Sequence, residues 1–398
     1  MFNTNNLDEN LNVEGKRVLI RVDFNVPIND GSITETSRIE KVIPTIKFFI
    51  NKKAKIIIIS HLGRPNGEIV TELSLKPIAK KLSKYLGQNV IFVEENIGNR
   101  VIQNSKNIAN GDVLLLENLR FHKGEELNSS SFAKELSKNG DIYVNEAFSC
   151  SHRAHASVSE ITKYINSFPG RQLLEELNAI NMLTNSAKKP VTCIIGGSKI
   201  STKTGILINL AKKIQNIIIV GAMANTFIKQ KGYSIGKSIS EKNQNNFIQK
   251  VFDESKKNKC NIFIPEDVIV AKNYSSKGYL KNLEKINDDD IILDIGEKTI
   301  KKITRLIDSS KTILWNGPAG YFEIDEFSFG SKKIAEKISQ STKKKSLVSI
   351  VGGGDTVAAL NKFGCSDSFS YVSTAGGAFL ELLEGKVLPG IKALKINE

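Results

Sequence analysis

Residues 349–360 read SIVGGGDTVAAL: a short apolar run, three glycines and a segment of helical character. The run has the length of a buried strand, and the glycines allow a tight turn into a helix. Asp355 and Thr356 lie where that helix begins. Free backbone N–H groups and the helix dipole attract phosphate at such a point. The stretch therefore predicts one strand–turn–helix unit of an α/β fold, with an anion site at its turn.

The same alternation of apolar runs and helical patterns extends along the chain in both directions. Five strands are predicted in the first half, at 17–26, 55–60, 89–94, 111–119 and 141–148. Seven are predicted in the second half, at 190–196, 216–221, 261–265, 291–295, 312–316, 346–351 and 369–373. Several runs are apolar throughout, which is typical of parallel sheets covered on both faces. The pattern predicts two open, mostly parallel, doubly wound α/β domains of Rossmann-like type.

The segment between the two halves carries the predicted domain boundary. Residues 168–170 read FPG and break the chain, and a helix with an apolar stripe follows them. We predict an N-terminal domain over 1–170, a connecting hinge helix over 171–188 and a C-terminal domain over 189–384.

Composition favours a globular protein of the cytoplasm. The chain has 398 residues, 40% hydrophobic and 25% charged, which suits two or more folded domains. Its N-terminus, MFNTNNLDEN, does not resemble a signal peptide, and no apolar run approaches the ~20 residues of a membrane span. We therefore predict no membrane partner. The cysteines are far apart and are expected to be buried thiols in a reducing compartment: Cys150, Cys193, Cys260 and Cys365.

The net charge of +14 raises nucleic-acid binding as an alternative. Lysine is scattered along the chain, however, and the longest basic run is KKK at 343–345 without interleaved aromatics. A nucleic-acid partner is therefore not required. Eight of the nine arginines lie in the first 171 residues. Because the guanidinium binds carboxylate and phosphate in a bidentate manner, this bias predicts a small anionic ligand in the first half.

The predicted strands of the first half end in basic and polar residues. Ligands of open α/β sheets bind beyond the carboxyl ends of the strands. The candidates there are Asp23, Asn25, Arg38, His61, Arg64, Arg120, His152, Arg153 and His155. Thr36 and Ser37 are candidate caps of the helix that carries Arg38. Together the arginines predict a basic pocket for a small, multiply charged acid. His152 and His155 lack acidic or cysteine partners, so we predict no metal there.

The predicted strands of the second half end in glycine-rich loops. These loops read CIIGGSKISTK at 193–203, IVGAMANTF at 219–227, ILWNGPAGYFE at 313–323 and STAGGAFLE at 373–381. The first lacks the full P-loop pattern, although Lys199 and Lys203 follow its glycines. Glu323 could accept hydrogen bonds from ribose hydroxyls, and Asp355 could hold Mg²⁺ against phosphate oxygens. The loops predict a nucleotide-phosphate site.

In this order, the segments RVDFNVP, SHLGRP, ENLRF, HRAH, GGSK, WNGP…FE, GGGDT and STxGGA resemble the phosphoglycerate kinase family over the whole chain. The resemblance implies reversible phosphoryl transfer between 1,3-bisphosphoglycerate and ADP, giving 3-phosphoglycerate and ATP, with Mg²⁺ bound as Mg-ADP or Mg-ATP. It also implies a monomer whose C-terminal stretch, about 385–398, returns to the N-terminal domain.

The resemblance assigns roles by position. It implies substrate binding by Asp23, Phe24, Asn25, Arg38, His61, Leu62, Gly63, Arg64, Arg120 and Arg153. It implies nucleotide binding by Lys203, Gly221, Asn316, Glu323, Gly352, Gly353, Gly354, Asp355 and Thr356, with Asp355 on the metal. It implies catalytic roles for Arg38, Lys199, Lys203, Gly353 and Gly376. The departures from the family pattern are Glu146 in place of Asp, Cys150 with Ser151 in place of smaller residues, and Ala375 with Phe379 in the last loop.

No catalytic base is expected, because the carboxylate nucleophile of such a reaction is already ionised at neutral pH. The two predicted sites belong to different domains, so the domains are expected to face each other across a hinged cleft that closes. Two alternatives remain. One is an acyl-phosphate kinase acting on acetate or aspartate, and the other is a nucleic-acid-binding protein with strongly salt-dependent binding.

Overall fold

The computed structural model describes residues 11–29, 32–184 and 186–395. The chain forms two compact units. Unit 1 comprises Met1–Leu177 with Val387–Glu398, and unit 2 comprises Asn178–Lys386. The division falls inside one helix. Within the described ranges, no helix has the length and apolar content needed to cross a membrane.

Unit 1 is built on a six-stranded parallel sheet. From edge to edge, its strands are β5 (Val90–Val93), β6 (Val113–Leu116), β4 (Lys55–Ile59), β1 (Arg17–Arg21), β7 (Ile142–Asn145) and β8 (Ser167–Pro169). A separate antiparallel ribbon is formed by β2 (Ile28–Asn29) and β3 (Ser32–Ile33). The four isoleucines of β4 are all buried, as expected for a parallel strand covered on both faces.

Helices cover both faces of the unit 1 sheet. They are α1 (Ser37–Asn51), α2 (Lys76–Leu86), α3 (Asn99–Asn107), α4 (Lys123–Glu126), α5 (Ser130–Ser137), the first part of α6 (Arg171–Thr184) and, near the C-terminus, α14 (Pro389–Ala393). Short 3-10 helices lie at Thr71–Leu73, Leu119–Phe121, Phe148–Cys150 and Glu160–Lys163. The core joins side chains of β1, β4 and β6 to α1 and α2, including Phe49 and Leu82.

Two local expectations in unit 1 are wrong. Thr36 occupies the N-cap position of α1, but its hydroxyl donates to Glu40 Oε1 at 2.6 Å instead of capping the helix. Ser37 is the first helical residue, and its N–H donates to Glu35 Oε1 at 2.6 Å. Residues 168–170 do not simply break the chain either, because Phe168 and Pro169 belong to the edge strand β8. Proline is tolerated on an edge strand, where its missing N–H leaves no ladder bond unmade.

Unit 2 repeats the parallel architecture. Its six-stranded sheet has the order β11 (Asn261–Phe263), β10 (Asn216–Ile219), β9 (Val191–Ile195), β15 (Thr312–Asn316), β16 (Val348–Val351) and β17 (Tyr371–Val372), with every pair parallel. Its helices are α7 (Thr204–Ala211), α8 (Ala222–Gln230), α9 (Asn245–Lys257), α10 (Glu297–Ser309), α11 (Phe329–Lys343), α12 (Gly354–Lys362) and α13 (Gly377–Leu383). Two parallel α/β units confirm the predicted fold class.

A second sheet in unit 2 departs from the predicted pattern. It is antiparallel and has the order β13 (Tyr279–Asn282), β12 (Asp267–Ala271) and β14 (Ile291–Ile295). The predicted strand 291–295 exists, but it pairs antiparallel with β12 and is not part of the parallel sheet. The strands β12 and β13 were not predicted.

The cysteines do not all fit the expectation of burial. All four are free thiols, and Cys150, Cys193 and Cys260 are buried. Cys365 is only partly buried. It lies just after α12, near the 3-10 helix Ser366–Ser368.

Candidate functional site

Asp23 and Arg38 form the centre of a polar cluster in unit 1. Asp23 follows β1, and its Oδ2 lies 2.8 Å from Arg38 Nη1, which also donates to the Asn25 carbonyl at 3.1 Å. The same carboxylate accepts hydrogen bonds from the Ser149 hydroxyl and from the Asn25 N–H. The guanidinium of Arg38 is thus oriented by two residues of the loop that follows β1. It retains partial exposure, with 31% of its side chain accessible.

The loop after β4 is connected to this cluster through backbone groups. Gly63 N–H donates to Asn25 Oδ1 at 2.9 Å, and the Gly63 carbonyl accepts from Arg120 Nη1 at 2.5 Å. The side chain of Asn118 holds the backbone of Leu62. Its Oδ1 accepts from the Leu62 N–H, and its Nδ2 donates to the Leu62 carbonyl at 2.7 Å. The loops after three neighbouring strands, β1, β4 and β6, therefore meet at the carboxyl edge of the sheet.

The predicted unit 1 residues differ in exposure. Phe24 and Leu62 are buried, so their side chains are not open to a ligand. Arg120 is 3% exposed, and its Nε lies 3.2 Å from Glu126 Oε1. Arg153 is partly buried and donates from its Nε to His152 Nε2 at 3.1 Å. Arg64 is exposed and makes no hydrogen bond or ion pair with the rest of the described chain.

Three of the histidines are neutral at pH 7. Burial holds the pKa of His61 well below its usual range, and the positive charges of Arg21 and Arg120 lower it further. Burial and the same two arginines lower the pKa of His155 to about 3. His122 is structural: its ring stacks on Phe132 at 4.2 Å, and burial lowers its pKa as well. These three rings therefore add no positive charge, whereas the arginines of this region do.

Arg21 is part of this cluster, although the sequence did not single it out. It ends β1, is 1% exposed, and places Nη2 3.1 Å from His61 Nδ1. Its Nε donates to Ser157 Oγ at 2.9 Å. The only signal in the sequence is a charged residue at the end of an apolar strand. A solvated arginine on the surface would look the same in the sequence, so the pattern does not distinguish the two.

A set of potential metal ligands also lies here, but it does not suit magnesium. One ligand atom each of Asp23, His61 and Cys150 lies within 4.8 Å of the other two. The guanidinium of Arg21 contacts the Nδ1 of this histidine, and burial raises the pKa of the Cys150 thiol. Mg²⁺ prefers oxygen ligands and keeps several waters, so a buried nitrogen and sulfur beside a cation do not fit it.

In unit 2, Lys203 and Asn316 link two glycine loops. Lys203 Nζ donates to the Gly196 carbonyl and to Asn316 Oδ1 at 2.5 Å. Asn316 Nδ2 in turn donates to the Gly352 carbonyl at 2.6 Å. Burial lowers the pKa of Lys203 to about 8, and the charge of Asp355 opposes this decrease. The ammonium is therefore still mostly protonated at pH 7.

Two glycines of these loops have backbone conformations that other residues rarely adopt. Gly353 has φ +98°, and a Cβ there would lie 2.7 Å from Asn316 Nδ2. Gly221 has φ +67°, and its Cβ would lie 2.9 Å from the Pro318 carbonyl. Gly353 precedes α12, and the Thr356 hydroxyl in the first turn of that helix accepts from Gly317 N–H at 2.7 Å. The backbone is thereby packed tightly around the start of α12.

A cavity of about 210 Å³ adjoins these loops. Its lining includes the predicted nucleotide residues Gly221, Glu323 and Asp355, together with apolar side chains such as Ile228 and Val268. Glu323 and Asp355 are exposed, so their carboxylates are free to meet a ligand. A cavity that combines an apolar wall with convergent polar groups is typical of small-molecule sites.

Asp294 shapes this cavity and was missed in the sequence. It lies on β14, is 2% exposed, and accepts from Gly330 N–H at 2.7 Å and from Ile295 N–H at 2.8 Å. Burial raises its pKa to about 7. A Cβ on Gly320 would lie 2.4 Å from its carboxyl group. Asp294 therefore packs against the loop between β15 and α11, which carries Glu323.

The remaining predicted residues of unit 2 are less constrained. Lys199 is exposed in the loop after β9. Gly354 is the first residue of α12, and Gly376 precedes α13 with φ +53°. The residues present fit a magnesium–nucleotide ligand. Asp355 offers an exposed carboxylate beside the glycine-rich loops, and magnesium commonly takes one or two carboxylates plus substrate phosphates.

The chain is similar to known proteins over almost its whole length. A family model described as phosphoglycerate kinase matches residues 8–386. A phosphoglycerate kinase from Bartonella bacilliformis is 46% identical over 385 residues, covering 96% of each chain. One from Wolbachia sp. subsp. Brugia malayi is 46% identical over 397 residues, covering 99% of each. The solved structure of phosphoglycerate kinase from Coxiella burnetii superposes with a TM-score of 0.89 at 42% identity, covering 97% of each chain. The chain therefore belongs to the phosphoglycerate kinase family.

Proposed function

We propose that the chain transfers a phosphoryl group reversibly between 1,3-bisphosphoglycerate and ADP, giving 3-phosphoglycerate and ATP. The observation that carries this proposal is the contrast between the two sites. Unit 1 places Arg38 on Asp23 and Asn25, and Arg120 on the Gly63 backbone that Asn25 also binds. Unit 2 instead places glycine loops around Lys203 and a small cavity. The first arrangement suits a compact polyanion, and the second suits a nucleotide.

The unit 1 residues would bind the phosphoglycerate. Arg38, Arg64, Arg120 and Arg153 supply positive charge, and the neutral His61 supplies a hydrogen-bonding ring nitrogen. Asp23 and Asn25 orient Arg38 and Gly63 through the contacts described above. The exposed Arg64 is free to bind the ligand from the solvent side. A bidentate guanidinium distinguishes phosphate and carboxylate oxygens by geometry as well as by charge.

The unit 2 residues would bind the nucleotide. The ribose would contact Glu323 within the cavity, and the phosphates would contact backbone N–H groups of residues 352–356 at the start of α12. Asp355 would hold Mg²⁺, which neutralises phosphate charge when it is bound. Lys203 would bind a phosphate oxygen in place of one of its present carbonyl partners.

The chain's own residues would assist transfer through electrostatics and orientation. The attacking carboxylate needs no proton removed, so the energetic demands are the approach of two anions and the stabilisation of charge on the moving phosphoryl group. Arg38, Lys199 and Lys203 would meet that charge together with backbone N–H groups near Gly353 and Gly376. The two sites lie in separate units, so we also propose hinge closure. We also propose that the protein is a monomer located in the cytoplasm.

A coupled assay tests the proposal directly. Purified protein, 3-phosphoglycerate, ATP and Mg²⁺ should oxidise NADH when glyceraldehyde-3-phosphate dehydrogenase consumes the product. ADP release, coupled through pyruvate kinase and lactate dehydrogenase, measures turnover with any acid, and acetate or aspartate in place of 3-phosphoglycerate should give no signal above background in that assay. Equal or greater turnover with either of these acids would replace the proposed substrate with that acid.

A further inference from the structure

The buried guanidinium of Arg21 is not explained by the roles proposed above. Within the described part of the chain, Arg21 makes no direct ion pair with a carboxylate, although its side chain is almost entirely excluded from solvent. An unpaired buried charge is costly, so such a group is expected to have a definite set of partners. Its nitrogens contact the Val22 carbonyl, Ser157 Oγ, Cys150 Sγ and His61 Nδ1.

The contact with His61 fixes the position of a proton. A guanidinium has five N–H donors and no acceptor. At 3.1 Å from Arg21 Nη2, the Nδ1 of His61 can therefore act only as an acceptor. The other neighbour of Nδ1 is Cys150 Sγ at 4.0 Å. Burial raises the pKa of this thiol, so the cysteine also carries a proton and does not need one from Nδ1. A neutral imidazole that accepts at Nδ1 carries its proton on Nε2.

The partner on the other side of Arg21 holds the guanidinium in place. Ser157 Oγ accepts from Arg21 Nε at 2.9 Å and donates to Glu125 Oε1 at 2.6 Å. Glu125 is fully buried and also accepts from the Ser157 N–H at 2.9 Å. The negative charge of Glu125 thus reaches Arg21 through one hydroxyl group. This chain of contacts leaves Nη2 directed at His61.

We propose that Arg21 is a positioning residue that fixes His61 as the neutral tautomer with its proton on Nε2, so that His61 offers the anionic substrate a hydrogen-bond donor and not a positive charge. The identity of that substrate rests on the proposed function. The charged and titratable groups that act on His61 are Arg21, Arg120, Arg153 and His155, with Cys150 at its Nδ1 and one carboxylate oxygen of Asp23 within 4.8 Å of a ring nitrogen. The cations among them disfavour protonation of the ring. Substrate binding would then not depend on a histidine that titrates near neutral pH.

The first test uses the unmodified protein. Long-range ¹H–¹⁵N spectra of histidine-labelled protein show which ring nitrogen is protonated, and only four histidines contribute. The signals that disappear in His61→Gln identify His61. We expect the Nε2–H tautomer, unchanged between about pH 5.5 and 8. A proton on Nδ1, or a titration of His61 near its ordinary pKa, would overturn the inference.

The second test removes the donor. Arg21→Met should raise the pKa of His61, so that protonation at low pH adds an attraction for the anionic substrate. The ratio of the variant KM for 3-phosphoglycerate to the wild-type KM should fall about threefold or more from about pH 8 to about pH 5.5. Dividing by the wild-type KM cancels the titration of the substrate phosphate. Arg100→Met, which removes an exposed arginine of unit 1, should give a constant ratio.

Ser157→Ala is the second variant if Arg21→Met does not fold. It removes the acceptor of Arg21 Nε and should change the KM ratio in the same direction by a smaller factor. Folded variants in which His61 keeps the Nε2–H tautomer and the ratio stays constant would contradict a positioning role. A protein without phosphoglycerate kinase activity would contradict the proposed function, but the spectra of the unmodified protein would still decide the tautomer.

Discussion

Arg38 is restrained at one of its nitrogens and available at the others. Its bonds to Asp23 and to the Asn25 carbonyl both use Nη1, and Nε and Nη2 have no hydrogen-bond partner in the described ranges. A guanidinium oriented in advance in this way loses little conformational freedom when it binds an anion. Preorganised donors of this kind contribute most where charge develops during the reaction.

Arg38→Ala should lower kcat by orders of magnitude, corresponding to about 3–4 kcal/mol, while ATP affinity changes little. Arg38→Lys should also be poor, because an ammonium cannot reproduce the planar, bidentate donor geometry. Steady-state kinetics and calorimetric ATP titration measure the two quantities. Arg100→Ala is the matched control on the surface of the same unit. Turnover close to normal in Arg38→Ala would remove Arg38 from the catalytic residues.

Asp355→Asn should weaken the productive metal–nucleotide complex, since a neutral amide is a poorer magnesium ligand than a carboxylate. The Mg²⁺ concentration needed for half-maximal activity should rise, and the affinity for 3-phosphoglycerate should not change. Titration of Mg²⁺ at saturating 3-phosphoglycerate measures the effect. Asp367→Asn, in a 3-10 helix beyond α12, provides a control in the same unit. An unchanged magnesium requirement in Asp355→Asn would place the metal on other residues.

At the scale of elements, one buried acid holds the start of α6. Glu146 is 2% exposed and accepts from the Thr45 hydroxyl and from the N–H groups of Gln172 and Leu173. Burial raises its pKa to about 7, and these hydrogen bonds oppose the increase. Glu146, which stands in place of the Asp of the family pattern, thus packs between the end of β7, α1 and the start of α6.

The raised pKa of Glu146 makes stability depend on pH. A folded-state pKa above the ordinary value of about 4.3 means that the native state favours the protonated acid. Its stabilising contribution, about 4 kcal/mol at most, is fully present below about pH 4 and is lost as pH rises through about 7. Glu146→Gln should therefore flatten the decrease in melting temperature between about pH 5 and pH 8. Thermal unfolding over this range measures it, and an undiminished slope in the variant would assign the pH dependence to other groups.

Most of the parallel strands could be predicted because each is a nearly continuous apolar run between turn residues. The parallel edge strand β8 reads SFP and was missed, because it is only three residues long and contains a proline. Two strands of the antiparallel sheet were also missed. The strand β13 reads YLKN and has no buried residue, so it carries no such signal, whereas β12 reads DVIVA and was missed although it does contain an apolar run. The strand β14 was predicted, but an apolar run alone does not specify whether its partner is parallel or antiparallel. Arg21 was missed for a different reason. Its partners His61 and Ser157 are 40 and 136 residues away in sequence, so no local spacing indicates them.

At the scale of the whole molecule, the two proposed sites divide one reaction between two folded units. The arginines assigned to phosphoglycerate belong to unit 1, and the glycine loops assigned to the nucleotide belong to unit 2. Neither unit contains both sets, so transfer requires that the two ligands be brought together. On the proposed closure, residues of the opposite unit would stabilise the charge that each ligand carries. A closed state would therefore bind the pair of ligands better than it binds either one.

We therefore predict that 3-phosphoglycerate and nucleotide together compact the enzyme more than the sum of their separate effects. Small-angle X-ray scattering of the free protein, the two singly liganded forms and the ternary complex measures the radius of gyration of each. Arg38→Ala, saturated with both ligands, serves as a comparison, because it lacks one cation that closure would bring to the phosphoryl group. Its compaction should be smaller than that of the unmodified protein. A radius of gyration that stays constant across the four unmodified samples would contradict closure, because the donor and acceptor would then have to meet in an arrangement that exists before either ligand binds.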